Sequence, residues 1–137
     1  MNAFDERNAG ASRRATNAIE AMYATGHGLL AQEQFSSAAC VFRAMLTFAP
    51  HDERGWIALG ACHEALEQHF VALQLYAAGR TLSRGGARCD LARSRLFRAM
   101  GNLEQAEEAM IRARRRAEST GDHELLRLVS AAEGKLS

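Results

Sequence analysis

A period of 34 residues constrains the fold of this chain more than any other feature of its sequence. Each copy has a small residue, a second small residue twelve positions later and a large residue four positions after that. The three copies are Gly26, Ala38 and Phe42; Gly60, Ala72 and Tyr76; and Ser94, Ala106 and Met110. Small residues let two helices cross closely while a large residue fills the space beside them. One such unit cannot bury its own apolar face, so the copies must stack.

The middle copy has the clearest signature. Trp56 is followed at three, four, sixteen and twenty residues by Leu59, Gly60, Ala72 and Tyr76. This is the spacing of a tetratricopeptide repeat (TPR), a helical hairpin that stacks on its neighbours. The period therefore predicts three hairpins and a binding scaffold rather than a catalyst. The predicted repeats span about residues 19–52, 53–86 and 87–120.

Composition and the flanking segments complete the predicted fold. Pro50 is the single proline, and Ala, Arg, Leu and Glu are the most numerous residues, which favours helices throughout. Residues 1–12 lack apolar periodicity and are predicted to be a flexible arm, so a single TPR domain spans 13–137. Amphipathic patterns predict an N-terminal helical extension from about Ser12 and a capping helix over about 122–135. The expected fold is all-α: three TPR-like hairpins in a short superhelix, with these two added helical segments.

Local signals predict where several helices begin and end. The second helices of the first two repeats are expected over Phe35–Phe48 and His69–Leu82, and Gly85-Gly86 is expected to break the chain after the latter. Asp52 and Asp122 are candidate N-caps, and Asn102 with Gln105 three residues later has the arrangement of a capping box. The capping helix is expected to cover the third repeat with Leu125, Leu128, Val129 and Ala132.

Charge and hydropathy restrict the classes of function. The formal net charge is +1, so no global field attracts nucleic acid or an anionic membrane. No segment is long and apolar enough to span a bilayer, and the start of the chain lacks the apolar run of a signal peptide. Three cysteines without a Cys-x-x-Cys pair suit a reducing compartment. We therefore predict a cytoplasmic protein without stable membrane association.

No pattern in the sequence indicates catalysis, a metal or a cofactor. The five histidines lack a metal-ligand spacing, and neither a phosphate-binding loop nor a nucleophile–base pair is evident. Arg112, Arg114, Arg115 and Arg116 are interleaved with glutamates and lack aromatic neighbours, so we interpret them as a solvated helix face. We expect no enzyme activity, no cofactor, no metal and no nucleic-acid partner. The arginine run leaves one alternative open, an enzyme or nucleic-acid binder on a TPR scaffold.

Several stretches add a more specific pattern to the generic repeat. They are residues 59–66, which include the string Leu-Gly-Ala-Cys, and residues 35–42, 52–54, 72–76, 79 and 88. Together they resemble the class II chaperones of bacterial type III secretion, over about residues 19–118. Four positions depart from the pattern of that family: Glu67, where a turn glycine is usual, Ala87, where a proline is common, and Leu30 and His69, where tyrosines are common.

The resemblance implies a cytoplasmic bacterial chaperone that keeps hydrophobic, pore-forming translocator proteins soluble before export. In that family the concave face of the superhelix binds an extended translocator segment, often of the type P-x-L-x-x-P. The alternative function is a regulatory or adaptor module that binds a transcription factor or another component of the secretion apparatus. One groove can serve both functions, so the sequence does not separate them.

The curvature of stacked hairpins also makes the first helix of each repeat the natural cradle for a ligand. Counting repeat positions gives the candidate groove residues Tyr23, His27, Leu30, Arg54, Ile57, Ala61, Glu64, Arg88, Leu91 and Arg95, with Arg98 beside them. The apolar members are expected to form pockets for proline and leucine side chains. The arginines are expected to bond to peptide carbonyls or acidic side chains.

The N-terminal extension also predicts the oligomeric state. It begins before the first repeat requires a helix, so its apolar side must cover something. Ile19 and Met22 offer a self-complementary surface, and we predict a homodimer that uses them.

Overall fold

The computed structural model describes residues 2–134, which form seven α-helices and no β-strand. The helices are α1 (Ala3–Ala31), α2 (Phe35–Phe48), α3 (Glu53–Ala65), α4 (His69–Leu82), α5 (Ala87–Ala99), α6 (Leu103–Thr120) and α7 (His123–Gly134). Helices α1 and α2, α3 and α4, and α5 and α6 pack as three successive hairpins, and α7 packs on α6. This architecture confirms the predicted all-α fold of three TPR-like hairpins with helical segments added at both ends.

The recurring small residues bring the two helices of a hairpin together. A Cβ atom at Gly60 would lie 2.2 Å from the Tyr76 ring, and one at Gly26 would lie 2.5 Å from the Phe42 ring. In the third hairpin the Ser94 hydroxyl donates a hydrogen bond of 2.8 Å to the carbonyl of Ala106. The period therefore marks the points where the backbone of one helix contacts a side chain or carbonyl of the next.

The turns inside the hairpins repeat as well. Glu33, Glu67 and Gly101 lie at the same position of the 34-residue period, and their φ angles are 59°, 61° and 84°. This left-handed backbone conformation is easiest for glycine. Its presence at Glu67 explains why a glycine is usual at that position in the family that the sequence resembles.

The ends of two helices follow the predicted capping. The carboxylate of Asp52 accepts a hydrogen bond from the backbone N–H of Arg54 at the start of α3. Asp122 accepts one of 3.0 Å from the N–H of Leu125 in α7. Between α4 and α5, Gly85 and Gly86 adopt positive φ angles of 100° and 76°, as the sequence predicted for this break.

Two local predictions need correction. The predicted arm of residues 1–12 is helical from Ala3, because the side chain of Asn2 caps the N–H of Asp5 and acidic residues occupy the first turn. The predicted capping box at Asn102 does not form, since its side chain makes no cap bond. Its backbone N–H instead donates to the carbonyl of Phe97, which closes the turn before α6. The predicted last residue of the capping helix, Lys135, lies outside the described residues.

Within the described residues the core consists of three clusters, one between the first and second hairpins, one between the second and third, and one between the third hairpin and α7. Phe42 and Met45 are central to the first cluster and Tyr76 to the second, and the half-buried Trp56 packs against both. The third cluster contains Leu125 and Val129 of α7, both at most 2% exposed. Helix α7 therefore covers the last repeat, as the sequence predicted. Within residues 2–134, no helix combines the length and apolarity needed to cross a membrane.

A candidate peptide-binding groove

A cleft of about 700 Å³ lies along α5, between α3 and α7, and we call it the main groove. Its lining residues are Ile57, Arg88, Leu91, Ala92, Arg95, Arg98, Ala99, Leu128, Ala131 and Ala132. Four of the ten groove residues proposed from the sequence, together with Arg98, therefore meet in one cleft. They come from α3 and α5, the first helices of the second and third repeats.

The main groove combines apolar side chains with guanidinium groups. Ile57 and Leu91 are half-buried, and Leu128 is 45% exposed, so their side chains remain accessible to a ligand. Arg88 forms a salt bridge of 3.2 Å with Asp122, which holds it at one end of the cleft. The arrangement suits a ligand that offers apolar side chains together with hydrogen-bond acceptors.

Arg98 has donors without a partner. Its Nε and one terminal nitrogen, Nη2, are buried and make no hydrogen bond within the described residues. An unsatisfied buried donor costs about 1–3 kcal/mol. A carbonyl or carboxylate of a bound ligand would satisfy these donors. Arg95, which also lines the main groove, is exposed.

Helix α7 contributes residues that the sequence did not identify as part of a groove. Leu128, Ala131 and Ala132 line the main groove, although Leu128 and Ala132 were expected to cover the third repeat. On a helix, Leu128 lies three residues after the buried Leu125, near the edge of the buried stripe. The apolar pattern of α7 is therefore wider than a capping role requires, and this width is the signal that could have identified its second role.

Tyr23 and His27 lie at the other end of the molecule, on α1. The centroids of their rings are 4.5 Å apart, and both rings contact the buried Phe42 edge-on. The guanidinium of Arg54 lies 4.6 Å from the centroid of the Tyr23 ring. His27 remains exposed and Tyr23 is half-buried, so this aromatic cluster presents part of its surface to solvent.

Arg54 bonds within the chain. Its terminal nitrogens contact both carboxylate oxygens of Glu20 at 2.7 and 3.1 Å, and it also bonds to Asp52 at 2.9 Å. These bonds raise the pKa of Arg54, chiefly through Asp52, and the bond from Arg54 lowers the pKa of both carboxyls. Arg54 thus fastens α1 to the start of α3 and stacks on Tyr23.

The remaining three proposed groove residues also have contacts within the fold. The carboxylate of Glu64 accepts a hydrogen bond from the hydroxyl of Tyr76, whose pKa is raised, mainly by burial. Leu30 packs against the first core cluster, and Ala61 is half-buried. None of the three lines the main groove.

The two residues proposed for a dimer interface lie on α1. Ile19 and Met22 are half-buried and pack against the first core cluster of their own chain. Residues 11–18 of α1 are exposed, and so is Phe4, at 63%. The large apolar side chain that is most exposed on this helix, Phe4, is therefore nearer its start than the sequence indicated.

Within residues 2–134, no three His, Cys, Asp or Glu side chains are grouped in a way that could hold a metal ion.

Comparison with protein-family models gives no match to the chain. Among curated proteins, the cell division cycle protein 27 homolog of Caenorhabditis elegans is 42% identical over 48 residues. That stretch is 35% of this chain and 6% of the other protein. The chain therefore matches only a small part of that relative.

Solved structures match most of the chain. The type III secretion translocator chaperone SycD of Yersinia enterocolitica has a TM-score of 0.74 at 23% identity, over 85% of this chain and 88% of SycD. PcrH of Pseudomonas aeruginosa has a TM-score of 0.70 at 25% identity, over 84% and 88%. PcrH in complex with the chaperone binding region of PopD has a TM-score of 0.70 at 26% identity, over 85% and 89%. These similarities confirm the resemblance found in the sequence: the chain has the TPR-like fold of the type III secretion translocator chaperones.

Proposed function

We propose that this chain is a bacterial cytoplasmic chaperone that binds hydrophobic translocator proteins of a type III secretion system and keeps them soluble. The observation that carries the proposal is the main groove, where apolar side chains from three helices lie beside unpartnered arginine donors. PcrH, at 25–26% identity, has been solved with the chaperone binding regions of PopD and of PopB. Binding to such a segment requires no nucleotide and no catalytic step.

The chemistry of the main groove suits an extended segment of the P-x-L-x-x-P type. Ile57, Leu91 and Leu128 would contact its proline and leucine side chains, and the free nitrogens of Arg98 would donate to its carbonyls. A proline-rich segment is already extended in solution, so it loses little conformational entropy when it binds. Burial of its side chains would supply most of the affinity.

Tyr23, His27, Leu30, Ala61 and Glu64 would extend the binding surface toward the first repeat. The exposed ring of His27 and the half-buried ring of Tyr23 can pack against an apolar ligand side chain. Arg54 would then act by holding α1 in place, because its guanidinium already bonds to Glu20 and Asp52.

A homodimer is part of the proposal. SycD has been solved as an alternative dimer, and α1 of this chain has Phe4 exposed as well as Ile19 and Met22 half-buried. Deletion of residues 1–20 should yield a monomer by light scattering. A mass that corresponds to two copies of the shortened chain would contradict the proposed interface.

Co-expression with a translocator, followed by affinity purification, tests the main groove. Ile57→Glu and Leu91→Glu each place a carboxylate among apolar side chains, so we expect both variants to lose the soluble complex. Leu103→Glu is the matched control, because Leu103 is 63% exposed and lies outside the main groove. Far-UV circular dichroism and thermal unfolding verify that all three variants fold.

Retention of the translocator by folded Ile57→Glu and Leu91→Glu variants would show that the main groove is not the binding site. If the unmodified chain retains no hydrophobic translocator, the proposal of a chaperone function is wrong. The adaptor function, with a transcriptional regulator as partner, would then be the better hypothesis.

A further inference from the structure

A second cleft of about 620 Å³ lies between α4 and α6, and we call it the outer cleft. Four arginines, one aspartate and two hydroxyl residues line it. They are Arg80, Arg112, Arg115, Arg116, Asp90, Thr81 and Ser119. The outer cleft shares no residue with the main groove, so a ligand could occupy it independently.

Three members of the arginine run, Arg112, Arg115 and Arg116, line this cleft, and all three are exposed, as expected for a solvated helix face. Arg114 pairs with Glu133 and Glu118, but Arg112 and Arg115 form no salt bridge with any described residue. Arg116 donates through its Nε to the carbonyl of Gly85, which leaves its terminal nitrogens available. The cleft therefore presents several guanidinium groups that form no salt bridge within the described residues, although the charges of Arg112 and Arg116 act on the Asp90 carboxylate from a longer distance.

The floor of the outer cleft contains an unsatisfied acceptor and an unsatisfied donor. Asp90 is 2% exposed, and its Oδ1 lies 3.7 Å from both Arg80 Nε and Arg93 Nη1, too far for a hydrogen bond. Asp90 Oδ1 and Arg80 Nε are both buried without a hydrogen-bond partner within the described residues. A ligand that offers both a donor and an acceptor would satisfy the two atoms.

The hydroxyl groups add no free donor to the cleft. The Thr81 hydroxyl donates to the carbonyl of Ala77, and the Ser119 hydroxyl donates to the carbonyl of Arg116. An anionic group would therefore be held by guanidinium nitrogens alone, which bind carboxylates through paired hydrogen bonds.

We propose that the outer cleft binds an acidic segment of a partner protein. Its carboxylates would pair with Arg112 and Arg115, a backbone N–H would donate to Asp90 Oδ1, and a backbone carbonyl would accept from Arg80 Nε. A peptide supplies all three kinds of group, whereas a phosphate backbone supplies acceptors only. The lining residues also include no aromatic ring on which a base could stack.

Fluorescence anisotropy with a short, labelled, glutamate-rich peptide tests the proposal. We expect the full-length chain to bind this peptide, and the same peptide with glutamine in place of glutamate to bind much less tightly. The double variant Arg112→Gln with Arg115→Gln should weaken binding about tenfold or more. Both side chains are exposed, so the variant should fold, as far-UV circular dichroism would verify.

A charge-matched control separates the cleft from general electrostatic attraction. Arg13→Gln with Arg127→Gln removes the same charge from exposed positions outside the outer cleft, and binding should stay within about twofold of the parent. Equal weakening by both double variants would overturn the proposal. So would absence of binding by the parent chain, or tighter binding of a single-stranded oligonucleotide or pyrophosphate than of the acidic peptide.

Discussion

Replacement of Gly60 by alanine tests whether close helix packing explains the 34-residue period. The added methyl group would lie 2.2, 2.6 and 2.8 Å from three atoms of the Tyr76 ring. Real Cβ atoms do not approach side-chain carbons so closely, so either the ring or the helix must move. Tyr76 is 1% exposed and its hydroxyl bonds to Glu64, so the ring cannot move into free space.

Two opposing effects set the expected change in the free energy of unfolding of Gly60→Ala. Overpacking of a core costs roughly 1–3 kcal/mol, and we take the upper end because all three contacts are short and the ring is held. Alanine is better than glycine inside a helix by about 1 kcal/mol. The net loss in the free energy of unfolding is therefore about 2 kcal/mol, or a melting temperature lower by roughly 8 °C for a domain of this size.

Urea unfolding followed by circular dichroism measures this loss, and Gly28→Ala provides the matched control. A Cβ atom at Gly28 meets nothing within 4 Å, and the residue is exposed in α1. This variant should gain up to about 1 kcal/mol from helix propensity alone. Gly26→Ala should behave like Gly60→Ala, because its methyl group would lie 2.5 Å from the fully buried Phe42 ring. A Gly60→Ala protein as stable as Gly28→Ala would refute the packing argument.

Two further predictions concern α5. Burial raises the pKa of Asp90 above its unfolded value, so its ionisation destabilises the fold as the pH rises above the ordinary value of about 3.9. Asp90→Asn should therefore be at least as stable as the parent at neutral pH, with the difference vanishing on acidification; a constant difference in thermal unfolding across pH would contradict this. Glu53 accepts a hydrogen bond of 2.9 Å from the N–H of Cys89, so Glu53→Ala should lose about 1–2 kcal/mol in urea unfolding. Glu53→Gln keeps an acceptor oxygen and should lose less, and equal losses would show that this bond is not the cause.

Much of the fold could be predicted because it depends on local patterns that repeat. Helices α2 and α4 begin and end at the predicted residues, Phe35–Phe48 and His69–Leu82. Their bounds follow from apolar periodicity and from a turn at a fixed position of the period. Ile57, Arg88 and Leu91 meet in one cleft because equivalent positions of stacked hairpins lie side by side.

The predictions of a flexible N-terminal arm and of a capping box at Asn102 were wrong because each depends on individual hydrogen bonds and not on a repeated pattern. The start of α1 depends on one side-chain bond from Asn2, which a search for apolar periodicity does not detect. At Asn102 the backbone N–H already bonds to Phe97 across the turn, so the sequence pattern of a capping box was present without its bonds.

The sequence by itself determined the all-α repeat architecture, its period and two of the three helices that line the main groove, α3 and α5, because helix and turn preferences act over a few residues. Only the tertiary structure decided which arginines are free. Arg54 is held by Glu20 from another helix, while Arg98, Arg112 and Arg115 form no salt bridge within the described residues, and two buried nitrogens of Arg98 have no hydrogen-bond partner there. It also brought Leu128 into the main groove and buried Asp90 among arginines from three helices. Salt bridges, burial and clefts arise between residues far apart in the chain, so their distances exist only after the hairpins have packed.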